Sequence, residues 1–298
     1  MTRWTTTLTG LEPVMVSTPN GWVEVARAGS GPAVLLIHGT PGSWRQAVPL
    51  AEDLADAFKV LLLSRPGYGR THIRLGRTYE EQADLYATVL DSLGIDKVAI
   101  VGVSGGGPSS IAFASRHADR VSALVLACAV APHILEVPRS MRVAARVPAV
   151  PQLVAPLVRA FGRRRLTNPD RVRAELQKSL TPDEYAHADA DASITADLVR
   201  HALSHLEAPP GLSGMRNDLR QFERAKRAGV PTLAVSAPTL VVHGDADPVV
   251  GLDQARFHAS AIPGAELITY EGAGHLFLMT RRKEASAAIR EFLSARAS

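Results

Sequence analysis

The 298-residue chain has one cysteine, Cys128, so no intrachain disulfide can form and a disulfide-stapled scaffold is excluded. No apolar run approaches the roughly 20 residues that a membrane-spanning helix needs. The opening stretch MTRWTTTLTGLEPVMVSTPNG lacks the continuous apolar core of a secretory signal. Cys128 lies in the apolar run VSALVLACAV and reads as a buried strand residue, so the expected location is cytoplasmic. Internal repeats and low-complexity tracts are missing too. No strong charge of either sign is present: the formal net charge is +4. That charge is uneven, with ten Lys/Arg between Arg139 and Lys178 against only Asp170 and Glu175. Phe161 alone interleaves with these arginines, fewer aromatics than single-strand binding favours, so the patch reads as a solvated helix face. A small-molecule substrate is expected, with no nucleic acid and no membrane span, and the oligomeric state is left open, a homodimer included.

What the chain does contain is ordinary globular composition, 46% apolar and 21% charged. Strand-like runs recur at PVMVS, WVEVARAG, AVLLIHG, KVLLLS, KVAIVG, VSALVLAC, TLVVHG and AELITYE. Several are continuous rather than alternating, as in parallel strands covered on both faces. Helical spacing fills SWRQAVPLAEDLADAF and TYEEQADLYATVLDSLG. The second opens on Thr78 with Glu81 three positions on, a capping box, and closes at Gly94. This β-α-β alternation predicts a doubly wound α/β sheet, mostly parallel and eight-stranded, with helices on both faces. The alternation breaks after Cys128 and resumes only at APTLVVHGDADP. Residues 1–131 and 236–298 are therefore expected to form the core domain, and 132–235 an inserted helical cap.

The stretch VGVSGGGPSS, Val101 to Ser110, follows one of the continuous strands. Its glycines do not have the dinucleotide-binding spacing, and no lysine follows them as a phosphate-binding loop requires. The remaining reading is a strand–turn–helix that exposes Ser104 at its tip, with Gly102 and Gly106 relieving close approach. A serine alcohol needs a base, and the base needs a group to hold its tautomer. Asp245-Ala246-Asp247-Pro248 and Gly272-Ala273-Gly274-His275 each follow a strand, at the sheet edge where open α/β sheets bind ligands. His38-Gly39-Thr40-Pro41-Gly42 follows another. The backbone N–H groups of Thr40 and Gly105 are the expected oxyanion donors, because Pro41 has none to offer. His38 and His243 read as residues that bond backbone.

HGTPG, SRPGYGRT (Ser64 to Thr71), GVSGGG, HGDADPVV and GAGH together resemble the α/β-hydrolase superfamily. Within it, the resemblance is to the capped group of epoxide hydrolases, C–C hydrolases, proline iminopeptidases and carboxylesterases. By position the resemblance implies Ser104 as nucleophile, His275 as general base and Asp247, third after Gly244, as the orienting acid, with Asp245 a solvent-facing turn residue. A serine at the elbow turns the chemistry toward carbonyls, since the epoxide hydrolases and dehalogenases resembling this chain use a carboxylate there. The leading expectation is a serine hydrolase of a small, largely apolar carboxylic ester or lactone, with no cofactor. The alternatives are an aminopeptidase using acids of DEYAHADAD, a C–C hydrolase, a perhydrolase or a lyase on the same triad, and a receptor-like binder with little turnover. The stretch MRVAARVPAVPQLVAPLVRAFG is expected to give the cap an apolar inner face, and Trp44 and Tyr68 are expected to line the substrate pocket. His201 and His205 have i,i+4 spacing but no third ligand nearby, so no metal is expected.

Overall fold

The computed structural model describes residues 11–135, 168–207, 213–228 and 234–296. The eight strand-like runs all form strands: β1 (Val14–Thr18), β2 (Gly21–Ala28), β3 (Ala33–Ile37), β4 (Lys59–Leu63), β5 (Val98–Val103), β6 (Val121–Ala127), β7 (Thr239–Gly244) and β8 (Glu266–Tyr270). They join in one sheet of order β1-β2-β4-β3-β5-β6-β7-β8. Only β2 runs against its neighbours; β4 through β8 pair in parallel.

The continuous apolar runs are explained by two separate cores, one on each face. Along β3, Leu35 and Ile37 join one cluster while Val34 and Leu36 join the other. Helices α1 (Val48–Leu54), α2 (Tyr79–Ser92) and α3 (Gly107–Arg116) cover these faces. α2 starts where expected: the Thr78 side chain accepts from the Glu81 N–H, and the Glu81 carboxylate accepts from the Thr78 N–H. It ends on Gly94 at φ +63, with the Ile95 N–H donating back to the Leu90 carbonyl.

Between β6 and β7 the described residues form α4 (Pro169–Ser179), α5 (Pro182–Ala190), α6 (Ala192–Glu207) and α7 (Ser213–Ala228). The stretch MRVAARVPAVPQLVAPLVRAFG and most of the basic patch lie outside the described residues. α7 packs into the core. Its Leu219, Phe222 and Ala225 are buried in the same cluster as α2 and α3. At its start the Gly214 N–H donates to the Gly67 carbonyl, and a Cβ on Gly67, at φ +87, would stand 2.6 Å from the Gly214 Cα. Two glycines thus let α7 seat directly on the loop after β4. After β7 come α8 (Leu252–Ala261), α9 (Phe277–Thr280) and α10 (Arg282–Ser294), whose Ile289, Phe292 and Leu293 pack with α1 on the other face.

Packing of α7 into the core has a measurable consequence. Phe222→Ala should cost about 3–5 kcal/mol in a urea titration, as for a buried core aromatic, against about 1 kcal/mol for Thr78→Ala, which removes one helix cap. A cost for Phe222→Ala no larger than that of the cap would show that α7 only rests on the core.

Candidate active site

Three loops meet beyond the carboxyl ends of β5, β7 and β8. Ser104 stands at the first position after β5 with φ +50, a left-handed conformation that costs a non-glycine residue about 1–3 kcal/mol. Its surroundings leave room for nothing but glycine. A Cβ on Gly106 would stand 2.6 Å from the Ile37 carbonyl oxygen, and one on Gly102 2.6 Å from the Ser110 Oγ. The strain turns the Ser104 side chain out of the strand, and its Oγ lies 3.1 Å from His275 Nε2.

His275 sits in the loop after β8, and its Nδ1 lies 2.7 Å from Asp247 Oδ2. Asp247 follows β7 and is buried. Its other oxygen, Oδ1, accepts the N–H groups of Val249 at 2.8 Å and Val250 at 2.9 Å. Burial alone would raise the Asp247 pKa, but hydrogen bonds from His243 and His275 and the backbone N–H of Val250 hold it well below the usual carboxylate range. An ionised carboxylate only accepts, so His275 carries its hydrogen on Nδ1 and leaves Nε2 free to accept from Ser104. His243 bonds backbone as expected, through Nε2 and the Val250 carbonyl at 2.8 Å, and also lies 3.5 Å from Asp247 Oδ2. Asp245 is exposed and accepts the Gly272 N–H at 2.8 Å, tying the acid loop to the histidine loop without touching His275.

Thr40 and Gly105 face one another: a Cβ on Gly105 would stand 3.3 Å from the Thr40 nitrogen, and one on Gly39 3.1 Å from the Ser104 Cβ. The loop carrying Thr40 is tied down by groups that sequence reading passed over. The Arg65 side chain, fully buried, donates from Nε to the His38 carbonyl at 2.9 Å and from one terminal nitrogen to the Gly39 carbonyl at 3.0 Å. His38 Nε2 accepts the Arg65 N–H at 3.0 Å, and Nδ1 lies 2.7 Å from the Gly39 carbonyl, so His38 bonds loop backbone as expected. The Arg65 partner is Asp218 of α7, buried and held through both oxygens.

The site opens into a cavity of about 400 Å³. Around Ser104 and His275 its described wall is mostly aliphatic, with Leu50, Leu176, Leu198 and Met279 among the contributors. Cys128 lines it as well. The cysteine is buried as expected, but it stands one residue past β6 at φ +40, and burial pushes its thiol pKa up, so it is a neutral wall group. Glu175 and His201 reach the cavity from α4 and α6.

Trp44 and Tyr68 do not line the cavity. Trp44 opens the turn before α1 and is buried in the core beneath it. Tyr68 is turned away by a stronger attraction: its hydroxyl donates to Asp218 Oδ2 at 2.6 Å. The acids of DEYAHADAD are engaged elsewhere. Asp183 pairs with Arg281 at 2.9 Å, and Asp189 with Arg173 at 3.2 Å. Glu184 is buried, its carboxyl pKa raised by burial, and it accepts backbone N–H groups of Thr181, Gly274 and Leu276, on either side of His275. None of these lines the cavity, so none can hold a substrate ammonium there. Among the described residues no group of three or more His, Cys, Asp or Glu could hold a metal ion; the His205 side chain lies outside them. No described helix is long and apolar enough to cross a membrane.

A family model described as alpha/beta hydrolase fold matches residues 32–281. An alpha/beta hydrolase fold protein from Nakamurella multipartita is 30% identical, with a TM-score of 0.80 over 96% of this chain and 99% of that one. A thermophilic esterase from Thermogutta terrifontis is 26% identical, with a TM-score of 0.70 over 96% of this chain and all of its own. A 2-hydroxy-6-oxononadienedioate/2-hydroxy-6-oxononatrienedioate hydrolase of Klebsiella pneumoniae is 29% identical over 81% of this chain and 80% of its own length. A shorter match, 34% identical over 110 residues, spans only 39% of an uncharacterized hydrolase of Bacillus subtilis.

The hydrogen bonding around His275 makes a spectroscopic prediction that needs no substrate. A far-downfield proton resonance from His275 Nδ1–H should be present in the wild type, persist in Asp245→Asn and vanish in Asp247→Asn. Loss in Asp245→Asn alone would reverse the assignment of the two aspartates.

Proposed function

The chain belongs to the α/β-hydrolase family, and on that footing we propose that it is a serine hydrolase of small, largely apolar carboxylic esters or lactones. The observation that carries this reading is the unbroken line from Asp247 through His275 to a strained Ser104, facing a cavity with mostly aliphatic walls. His275 Nε2 takes the Ser104 proton as Oγ attacks the carbonyl, and the imidazolium so formed is stabilised by Asp247. The oxygen of the tetrahedral intermediate takes its charge between the N–H groups of Thr40 and Gly105, each such donor contributing about 2.7–4 kcal/mol. His275 then hands the proton to the leaving alcohol, and a water activated by the same ring releases the acyl group from Ser104. No step requires a cofactor. The inserted residues 132–235, taken as a cap, set which acyl group fits over Ser104.

Relatives of one name speak for a second reading, since the Klebsiella pneumoniae protein and others are, by that name, hydrolases of a 2-hydroxy-6-oxo dienedioate or trienedioate. The same triad could attack a ketone beside a C–C bond. A dienedioate carries two carboxylates, however, and the described cavity wall offers Glu175 but no lysine or arginine to receive them. That favours the ester.

A fluorophosphonate probe should label the wild type and fail to label Ser104→Ala, whose turnover should fall by at least about 10⁴-fold. Absence of labelling in a well-folded wild type would overturn the nucleophile assignment. Among p-nitrophenyl esters of increasing chain length, activity should rise with apolar contact and then drop as the acyl chain outgrows the cavity. Faster turnover of a dienedioate ketone or an aminoacyl anilide than of any ester would replace the ester reading.

A further inference from the structure

Arg65 is an expensive residue to bury, and the triad makes no use of it. Its guanidinium is fully buried; burial works against its charge, but Asp218 more than restores it, so the pKa lies above the usual arginine value. A charge kept in such a place must be paired and hydrogen-bonded throughout. Nε donates to the His38 carbonyl at 2.9 Å. One terminal nitrogen donates to the Gly39 carbonyl at 3.0 Å, to the Thr40 Oγ1 at 2.8 Å and to Asp218 Oδ2 at 2.8 Å. The other donates to Asp218 Oδ1 at 3.0 Å. One side chain thus grips three consecutive residues of the loop that presents the Thr40 N–H.

Asp218 completes the grip from the opposite side. It lies on α7, whose neighbouring Leu219 and Phe222 anchor the helix in the core. Besides its two bonds to Arg65, it accepts the hydroxyl hydrogens of Thr40 and of Tyr68. The Thr40 hydroxyl is therefore held from both sides, accepting from Arg65 and donating to Asp218. The Gly39 carbonyl that Arg65 grips belongs to the same peptide as the Thr40 N–H, so holding it, with the Thr40 side chain clamped beside it, fixes the orientation of that N–H. A donor worth hundreds-fold in rate must be aimed before the intermediate forms, because its value lies in needing no reorganisation.

We propose that Arg65 and Asp218 are positioning residues that aim the Thr40 N–H at the reacting oxygen, so that the inserted helix α7 supplies part of the oxyanion site. The inference rests on the serine-hydrolase reading of Ser104. It makes α7 an obligate component of catalysis: displacing it from the loop after β4 removes the carboxylate that both neutralises Arg65 and holds Thr40.

The test compares p-nitrophenyl butyrate kinetics with binding of phenylboronic acid, which forms an anionic tetrahedral adduct on an active serine, and of phenol, which does not. Asp218→Asn should lower kcat by about 10²-fold, the loss seen for a misplaced oxyanion donor, with KM changed less than about threefold. Boronate affinity should fall in step with kcat/KM while phenol affinity stays. Because Asp218→Asn leaves Arg65 unpaired and can fail to fold, the double variant Arg65→Met/Asp218→Leu removes both charges together. It should keep its thermal midpoint and show the same loss of kcat and of boronate affinity. Thr40→Val should fall toward these variants, and Thr40→Ser should recover part of the loss. A folded double variant with wild-type kcat, or equal losses of boronate and phenol binding, would overturn the proposal. A wild type that neither turns over the ester nor binds the boronate would overturn the serine-hydrolase reading instead, and the aiming role with it.

Discussion

A serine backbone held in the left-handed region at the end of β5 is the constraint on which the rest of the molecule depends. Such a conformation survives only where its surroundings over-determine it. Here they include a parallel sheet buried on both faces, glycines where β5, β3 and α3 crowd together, and the Ser104 carbonyl accepting the Val130 N–H at 3.0 Å. Relaxing the turn would send Oγ back along the strand and away from His275. The strain and the nucleophile are one feature.

Each of the three loops around that serine is tied from behind. His243 and two backbone N–H groups hold Asp247. Glu184 of α5 accepts N–H groups from both sides of His275, and the Thr181 hydroxyl donates to the Gly272 carbonyl at 2.8 Å. Arg65 and Asp218 hold the Thr40 loop. In the last two cases the tie comes from helices inserted between β6 and β7. Those helices therefore do two jobs with different faces. Aliphatic side chains of α4 and α6 wall the cavity, and buried carboxylates of α5 and α7 brace the loops beneath it.

Much of this was legible in the sequence because it is local. A continuous apolar run ending in glycine marks a buried parallel strand, and the motifs at Ser104 and Asp247 each sit at such an end, whereas His275 follows the largely exposed edge strand β8. Side-chain direction in loops is not local. Tyr68 looked like a pocket residue until its hydroxyl met Asp218, a partner 150 positions away. Trp44 is turned inward by packing against the α1 face of the sheet, which no spacing reveals. Arg65 was visible within SRPGYGRT, but a charged residue in a loop reads as solvated until its partner is known. Asp218 did leave a trace: it falls beside Leu219 and between Met215 and Phe222 on the apolar stripe of α7, and an acid on a buried face calls for a buried cation.

The central claim is that Ser104 carries the acyl group between two half-reactions. Rapid quenching of the protein with p-nitrophenyl butyrate, followed by intact-mass and peptide analysis, tests it directly. The account predicts a transient butyryl adduct on the peptide that contains Ser104, formed with the burst of p-nitrophenol and absent from Ser104→Ala. Turnover with no such adduct, or with the adduct on another residue, would contradict it.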